Sequence, residues 1–153
     1  MKKTFTKTKL GPLATVSEHQ TRKIQAAFYG ITEIAVEYTY KTNSYDTLPV
    51  DELIVIFAEL AGFAYTSQLL LKSTRNKGIE NHDPGPLAHI THAKAKYAGK
   101  LLKEVQELAV DGLNRAKDKQ KIKPQDFFSH FSMIKKHGKE LEGVFASGDE
   151  EKS

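Results

Sequence analysis

Leu53 to Leu71 reads LIVIFAELAGFAYTSQLLL, the longest apolar stretch in the chain. Its reading decides between a membrane protein and a helical core. A bilayer span needs roughly 20 predominantly apolar residues, and Glu59, Thr66, Ser67 and Gln68 interrupt this one. Leu53, Phe57, Leu60, Ala64 and Leu71 recur at helical spacing, so the stretch predicts a core helix. Pro49 precedes it, and Asp51 and Glu52 are well placed against the positive end of the helix dipole. Leu69, Leu70 and Leu71 spread apolar surface over more than one side, which predicts the most buried helix of the domain. Ser73, Thr74 and Asn76 weaken the pattern, and Gly78 is a plausible terminator.

Upstream, Ser17 and Gln20 have the spacing of a capping box. Ile24, Ala27, Phe28, Ile31, Ala35 and Tyr38 then mark one face of a helix that should end before Asn43 and Ser44. Downstream, NHDPGP at 81–86 is a firm break. A third helix is expected from near Pro86 to about Ala116, with Ile90, Tyr97, Leu101, Val105 and Leu108 inward. After the charged connector KDKQKIK at 117–123, a fourth helix should start near Pro124. It would present Phe127, Phe131, Ile134 and Leu141, with Gly138 as a kink or an end. Helices with short links predict an all-α antiparallel bundle of about four helices. Residues 1–16 read as a flexible basic arm, 17–146 as the bundle, and SGDEEKS at 147–153 as a disordered acidic tail.

The chain has 153 residues, which fits one domain able to fold without staples. Cysteine is absent, which excludes disulfides, thiolate metal sites and cysteine nucleophiles. The opening MKKTFTKTKL leads into no apolar segment of signal-peptide type, and the expected location is cytoplasmic, with no membrane contact. The net charge of +4 hides an asymmetry. Residues 11–71 sum to −4 and residues 72–139 to +8, which suggests two contact surfaces of opposite sign.

The basic half holds the sharpest pattern. His89, His92, Lys96, Lys100 and Lys103 follow steps of three and four, placing all five on one stripe of the expected third helix. Ammonium groups so spaced can track a phosphate backbone without reading sequence. A solvated lysine face is the plainer reading of the same residues. Arg115, Lys117, Lys119, Lys121 and Lys123 form a second basic cluster, and Lys2, Lys3, Lys7 and Lys9 a third. His89 and His92 are spaced to share a metal ion, with His82 and Asp83 upstream. No His-Glu-x-x-His or Glu-x-x-His pattern supports such a site, and no metal or cofactor is expected. The phenylalanines read as core. Tyr29, Tyr38, Tyr40 and Tyr45 read as half-buried, with base stacking or a subunit contact as the sharper alternative.

Two resemblances add to this reading. Arg75, followed by Asn76 and then by His82, resembles the short Arg…His signature of the HEPN family of helical ribonucleases. That likeness implies a phosphate-positioning Arg75 and proton transfer by His82. The order of Ser17-Glu-His-Gln-Thr-Arg-Lys-Ile24, Asp51-Glu-Leu, Leu60-Ala-Gly-Phe-Ala-Tyr65 and Phe127-Phe-Ser-His-Phe131 resembles the small helical subunit of type III CRISPR effector complexes. Thr66-Ser67-Gln68 departs from the Ala-Gly-Arg expected there. This second likeness implies an all-helical, non-catalytic subunit that stacks along a guide–target duplex in antiviral defence, with Arg22 and Lys23 touching the backbone. The leading expectation is therefore a non-enzymatic subunit of a nucleoprotein assembly, binding nucleic-acid backbone (RNA above all) beside other protein subunits. A protein-interaction module, such as a viral structural or accessory protein, is the second expectation, and a HEPN-like ribonuclease the third.

Overall fold

The structure is a computed structural model, describing residues 11, 13, 16–44, 49–72, 86–118 and 123–146. Among these residues it is all-α: helices α1 (Glu18–Ser44), α2 (Val50–Lys72), α3 (His92–Lys117) and α4 (Gln125–Ala146), with a 3-10 turn at Pro86–His89. Residues 1–10, 12, 14 and 15 of the expected arm at 1–16, the tail at 147–153 and the segment around Gly78 lie outside the described residues.

Helix α1 opens on the reciprocal cap that the sequence predicts. The Ser17 N–H donates to Gln20 Oε1 at 3.0 Å, and the Gln20 N–H donates to Ser17 Oγ at 3.1 Å. Two amides that a helix start leaves orphaned are thereby satisfied. At its far end α1 continues through Ser44, slightly beyond the expected stop. There the buried Thr39 and Thr42 hydroxyls donate back to the Ala35 and Thr39 carbonyls, so these polar groups need no water.

Neighbouring helices all run antiparallel. Tyr38 of α1 meets Glu52 near the start of α2, while Gly30 lies against Phe63 further along α2. Phe57 faces Gly112 of α3, and Gln68 Nε2 donates to Gln106 Oε1 at 2.7 Å. His130 and His137 of α4 meet Asp111 and Glu104 of α3 in reverse order. Tyr38 stacks on Phe131, which closes the ring between α1 and α4. The most extensive packing joins α2 to α3 and α1 to α4.

The core centres on Phe57, which is fully buried. Its ring stacks on Phe131 at 4.8 Å between centroids and tilts against Phe127 at 5.6 Å. Gly112 makes this possible, because a Cβ there would lie 2.5 Å from Phe57 Cζ. Gly138 acts similarly, since a Cβ would come 2.5 Å from Thr32 Oγ1. The sequence suggests a kink or an end at Gly138, but α4 runs on to Ala146 and the glycine serves close approach to α1. The expected core phenylalanines 28, 57, 127 and 131 are buried, whereas Phe63 is half-buried and Phe128 exposed.

Three other expectations need correction. The third helix does not begin at Pro86. Leu87 and Ile90 are buried and anchor the 3-10 turn, and the Ile90 N–H donates to the Leu87 carbonyl at 3.1 Å. Thr91 then caps α3, its hydroxyl accepting from the Lys94 N–H. Tyr97 is exposed, and the inner line of α3 runs through Ala98, Leu101, Leu102, Val105 and Ala109. Leu13 and Val16, assigned to the basic arm by sequence, are buried in the core, so the packed unit starts before residue 17.

Helix α2 is long and apolar enough to cross a membrane by length and composition alone. Its inner line, Leu53, Phe57, Leu60, Ala64 and Leu71, is the bundle core. Nor is it buried all round: Val55, Tyr65 and Leu69 are 61%, 53% and 48% exposed.

Candidate functional site

The longest seam of the bundle, between α2 and α3, opens into a groove of about 590 Å³ near the C-terminal end of α2. Antiparallel packing brings Gln68, Leu71 and Lys72 of α2 against the first three turns of α3. That part of α3 contributes His92, Ala95, Lys96, Gly99, Lys100 and Lys103, and Leu13 completes the lining. The walls offer apolar contact from Leu13, Leu71 and Ala95. The charged lining residues are Lys72, Lys96, Lys100 and Lys103, with no carboxylate among them. None of these four lysines forms an ion pair with another described residue. Four cations beside a low-dielectric wall raise the local positive potential and draw anions.

The spacing follows from helix geometry. His92, Lys96, Lys100 and Lys103 lie on one side of α3 because steps of four, four and three return to the same face. From His92 to Lys103 the line measures about 16 Å along the axis. His89 belongs to the preceding turn, not to α3, so the five-residue stripe expected from sequence is a four-residue stripe on the helix. His89 is exposed in that turn.

The remaining expected cations divide by position. Arg22 and Lys23 are exposed near the start of α1, at the end of the bundle where α2 finishes and α3 begins. Arg22 is held by Glu18 of its own helix at 3.2 Å. Arg115 and Lys117 lie at the opposite end of α3, about 30 Å from Lys96. Arg115 pairs with Asp111 at 2.8 Å, which offsets its charge. Lys119 and Lys121 lie outside the described residues, as do Arg75, His82, Asp83 and Tyr45. The first and second basic clusters are therefore two places, not one surface.

Lys72 was missed by the sequence reading. It stands alone at the end of an apolar helix, and only the pairing of α2 with α3 brings it beside Lys96, Lys100 and Lys103. The groove continues into a second one of about 610 Å³, which shares Gln68, Lys72 and Lys103 and adds Glu107, Asp111 and Asn114. Its carboxylates mark where the cationic surface stops.

No group of three or more His, Asp or Glu side chains suited to a metal ion occurs among the described residues. Of the tyrosines, Tyr38 is buried, while Tyr29 and Tyr40 are exposed on α1. No protein-family model, curated protein or solved structure matches the chain.

Proposed function

We propose that this chain is a non-enzymatic helical subunit that contacts nucleic-acid backbone, without reading sequence, along the cationic groove between α2 and α3. One observation carries the reading. Among the described residues, lysines from two helices converge on a groove whose lining holds no carboxylate, and none of these lysines is in an ion pair. A row about 16 Å long on α3 spans several phosphates of a single strand or one flank of a duplex. No side chain in the lining has the fixed bidentate geometry that base readout uses, apart from the amide of Gln68, which already donates to Gln106. Lys23, at the same end of the bundle, extends the track beside Arg22, whose charge Glu18 partly offsets, and the likeness to effector-complex subunits points the same way. Cytoplasmic action beside other subunits is part of this proposal.

The test is binding of the full chain to RNA and DNA of unrelated sequences at two salt concentrations. Similar affinity across sequences is expected, with steep weakening as salt rises. Replacing Lys96, Lys100 and Lys103 by Glu should reduce the slope of log affinity against log salt by roughly three. Absence of binding at about 50 mM salt, or binding untouched by the triple variant, would sink the reading.

A further inference from the structure

We infer that the outward face of α2 is a self-association surface, on which a second copy of this chain docks its own α2 antiparallel about a two-fold axis at Gly62. The inference does not depend on the nucleic-acid reading. Val55, Ala58, Gly62, Tyr65 and Leu69 are all exposed and follow steps of three, four, three and four. That is the spacing of a seam between two packed helices. Val55, Tyr65 and Leu69 are three large exposed hydrophobic residues in a single line, whereas each of the other helices carries two: Tyr29 and Tyr40 on α1, Tyr97 and Val110 on α3, Phe128 and Met133 on α4. A line of this kind marks an interaction surface more than chance exposure does.

The order of residues along the line selects both the partner and its direction. Turned end for end about Gly62, the line meets itself with matched chemistry. Val55 falls opposite Leu69 of the second copy, and, to within one residue, Asp51 opposite Lys72 and Ala58 opposite Tyr65. Glu59 and Thr66, exposed along one edge, also fall opposite each other. Ala58 leaves room for Tyr65, Val55 meets Leu69 in apolar contact, and unlike charges face each other at both ends. Gly62 sits at the crossing with open space where a Cβ would project, which lets the two backbones approach. A parallel pair would set Asp51 against Asp51 and Lys72 against Lys72, with both tyrosines in one layer and both alanines in another. A two-fold pair is self-complementary by construction, so one patch suffices. The pairing sets the two cationic grooves at opposite ends of the dimer, about 25 Å apart along the α2 axis.

Sedimentation of the full chain over a concentration series tests this. A reversible dimer is expected. Val55→Glu with Leu69→Glu should leave a folded monomer by circular dichroism. Asp51→Lys should weaken the dimer roughly tenfold, because it sets like charges against both copies of Lys72. Asp51→Lys combined with Lys72→Asp should restore it, which unspecific apolar contact would not. Because the chain contains no cysteine, Gly62→Cys should yield an oxidised covalent dimer, and Val55→Cys should not. A monomer at every concentration up to about 1 mM overturns the inference. So does a dimer indifferent to both the apolar and the charge-swap variants. Flotation of a monomeric chain with lipid vesicles, abolished by the Val55 and Leu69 changes, overturns it in favour of a membrane surface.

Discussion

Helices α2 and α3 pack along each other, yet they turn opposite chemistries outward. Helix α3 has Ala98, Leu101, Leu102, Val105 and Ala109 inside and a lysine row, Lys96, Lys100 and Lys103, outside. Helix α2 is apolar on both sides, with Phe57 and Leu60 in the core and Val55 and Leu69 in solvent. The difference teaches that an apolar residue in this chain carries two meanings, and only its partner separates them. On α3 the lysines mark the solvent side, although Tyr97 and Val110 are exposed as well. On α2, the outward line is apolar for a reason other than folding.

The sharpest way to test that distinction is to truncate one residue from each side of α2. Phe57→Ala should cost about 3–5 kcal/mol in chemical denaturation, because its ring is enclosed by Phe127, Phe131 and Gly112. Leu69→Ala should change the stability of the monomer by less than about 0.5 kcal/mol, since it leaves no cavity. Equal losses at the two positions would erase the comparison.

A smaller effect separates glycines that serve packing from those that do not. Gly112→Ala should destabilise by about 1–2 kcal/mol, the collision with Phe57 outweighing the gain in helix propensity. Gly143→Ala, where a Cβ meets nothing within 4 Å, should stabilise by about 0.5–1 kcal/mol. Thermal melts of the two variants should therefore move in opposite directions.

Two ionisable contacts extend the comparison to the polar fastenings of α2 and α3. On α2, Glu52 accepts from the Tyr38 hydroxyl, and Lys41 lies 3.6 Å from the same carboxylate. Burial first, and then the bond to Glu52, pushes the Tyr38 hydroxyl up to about 12. A raised value stabilises the fold below the free phenol value of about 10. That contribution is lost as pH climbs from about 10 toward the folded value. Tyr38→Phe should remove this part of the alkaline loss, measured by denaturant midpoints on either side of that window.

On α3, Asp111 accepts from His130 Nε2 at 2.7 Å and from Arg115 Nε at 2.8 Å. The bond from His130, helped by Arg115, holds the Asp111 carboxyl below its usual range, against a smaller opposing effect of burial. A lowered value stabilises the fold above the free carboxylate value of about 3.9. The contribution disappears as pH falls through the folded value. Asp111→Asn should flatten the acid limb of the stability curve, and by less than the Tyr38 change does at high pH, because the Asp111 side chain is half-exposed.

Much of the fold was legible before any coordinates. The capping box at Ser17, the inner line of α2 and the starts of α2 and α4 follow from local rules about caps, prolines and periodicity. The start of α3 did not, because Pro86 is a good first helical residue but Leu87 and Ile90 gain more by burying in the core as a separate turn. Gly138 was misread for a similar reason. A glycine inside a helix weakens it locally, and only the nearness of Thr32 shows why it stands there. The candidate site was half legible. Lys96, Lys100 and Lys103 share a face by spacing alone, whereas Lys72 and Leu13 join them through contacts distant in sequence.

By itself, then, the sequence determined the helices, their order and the charge each carries, because caps, turns and periodicity act over a few residues. Which helices lie side by side, which lysines share a groove and which apolar line of α2 stays in solvent were decided by tertiary packing. Those relations depend on long-range contacts such as Phe57 with Gly112 and Gln68 with Gln106, and a one-dimensional pattern carries no record of them.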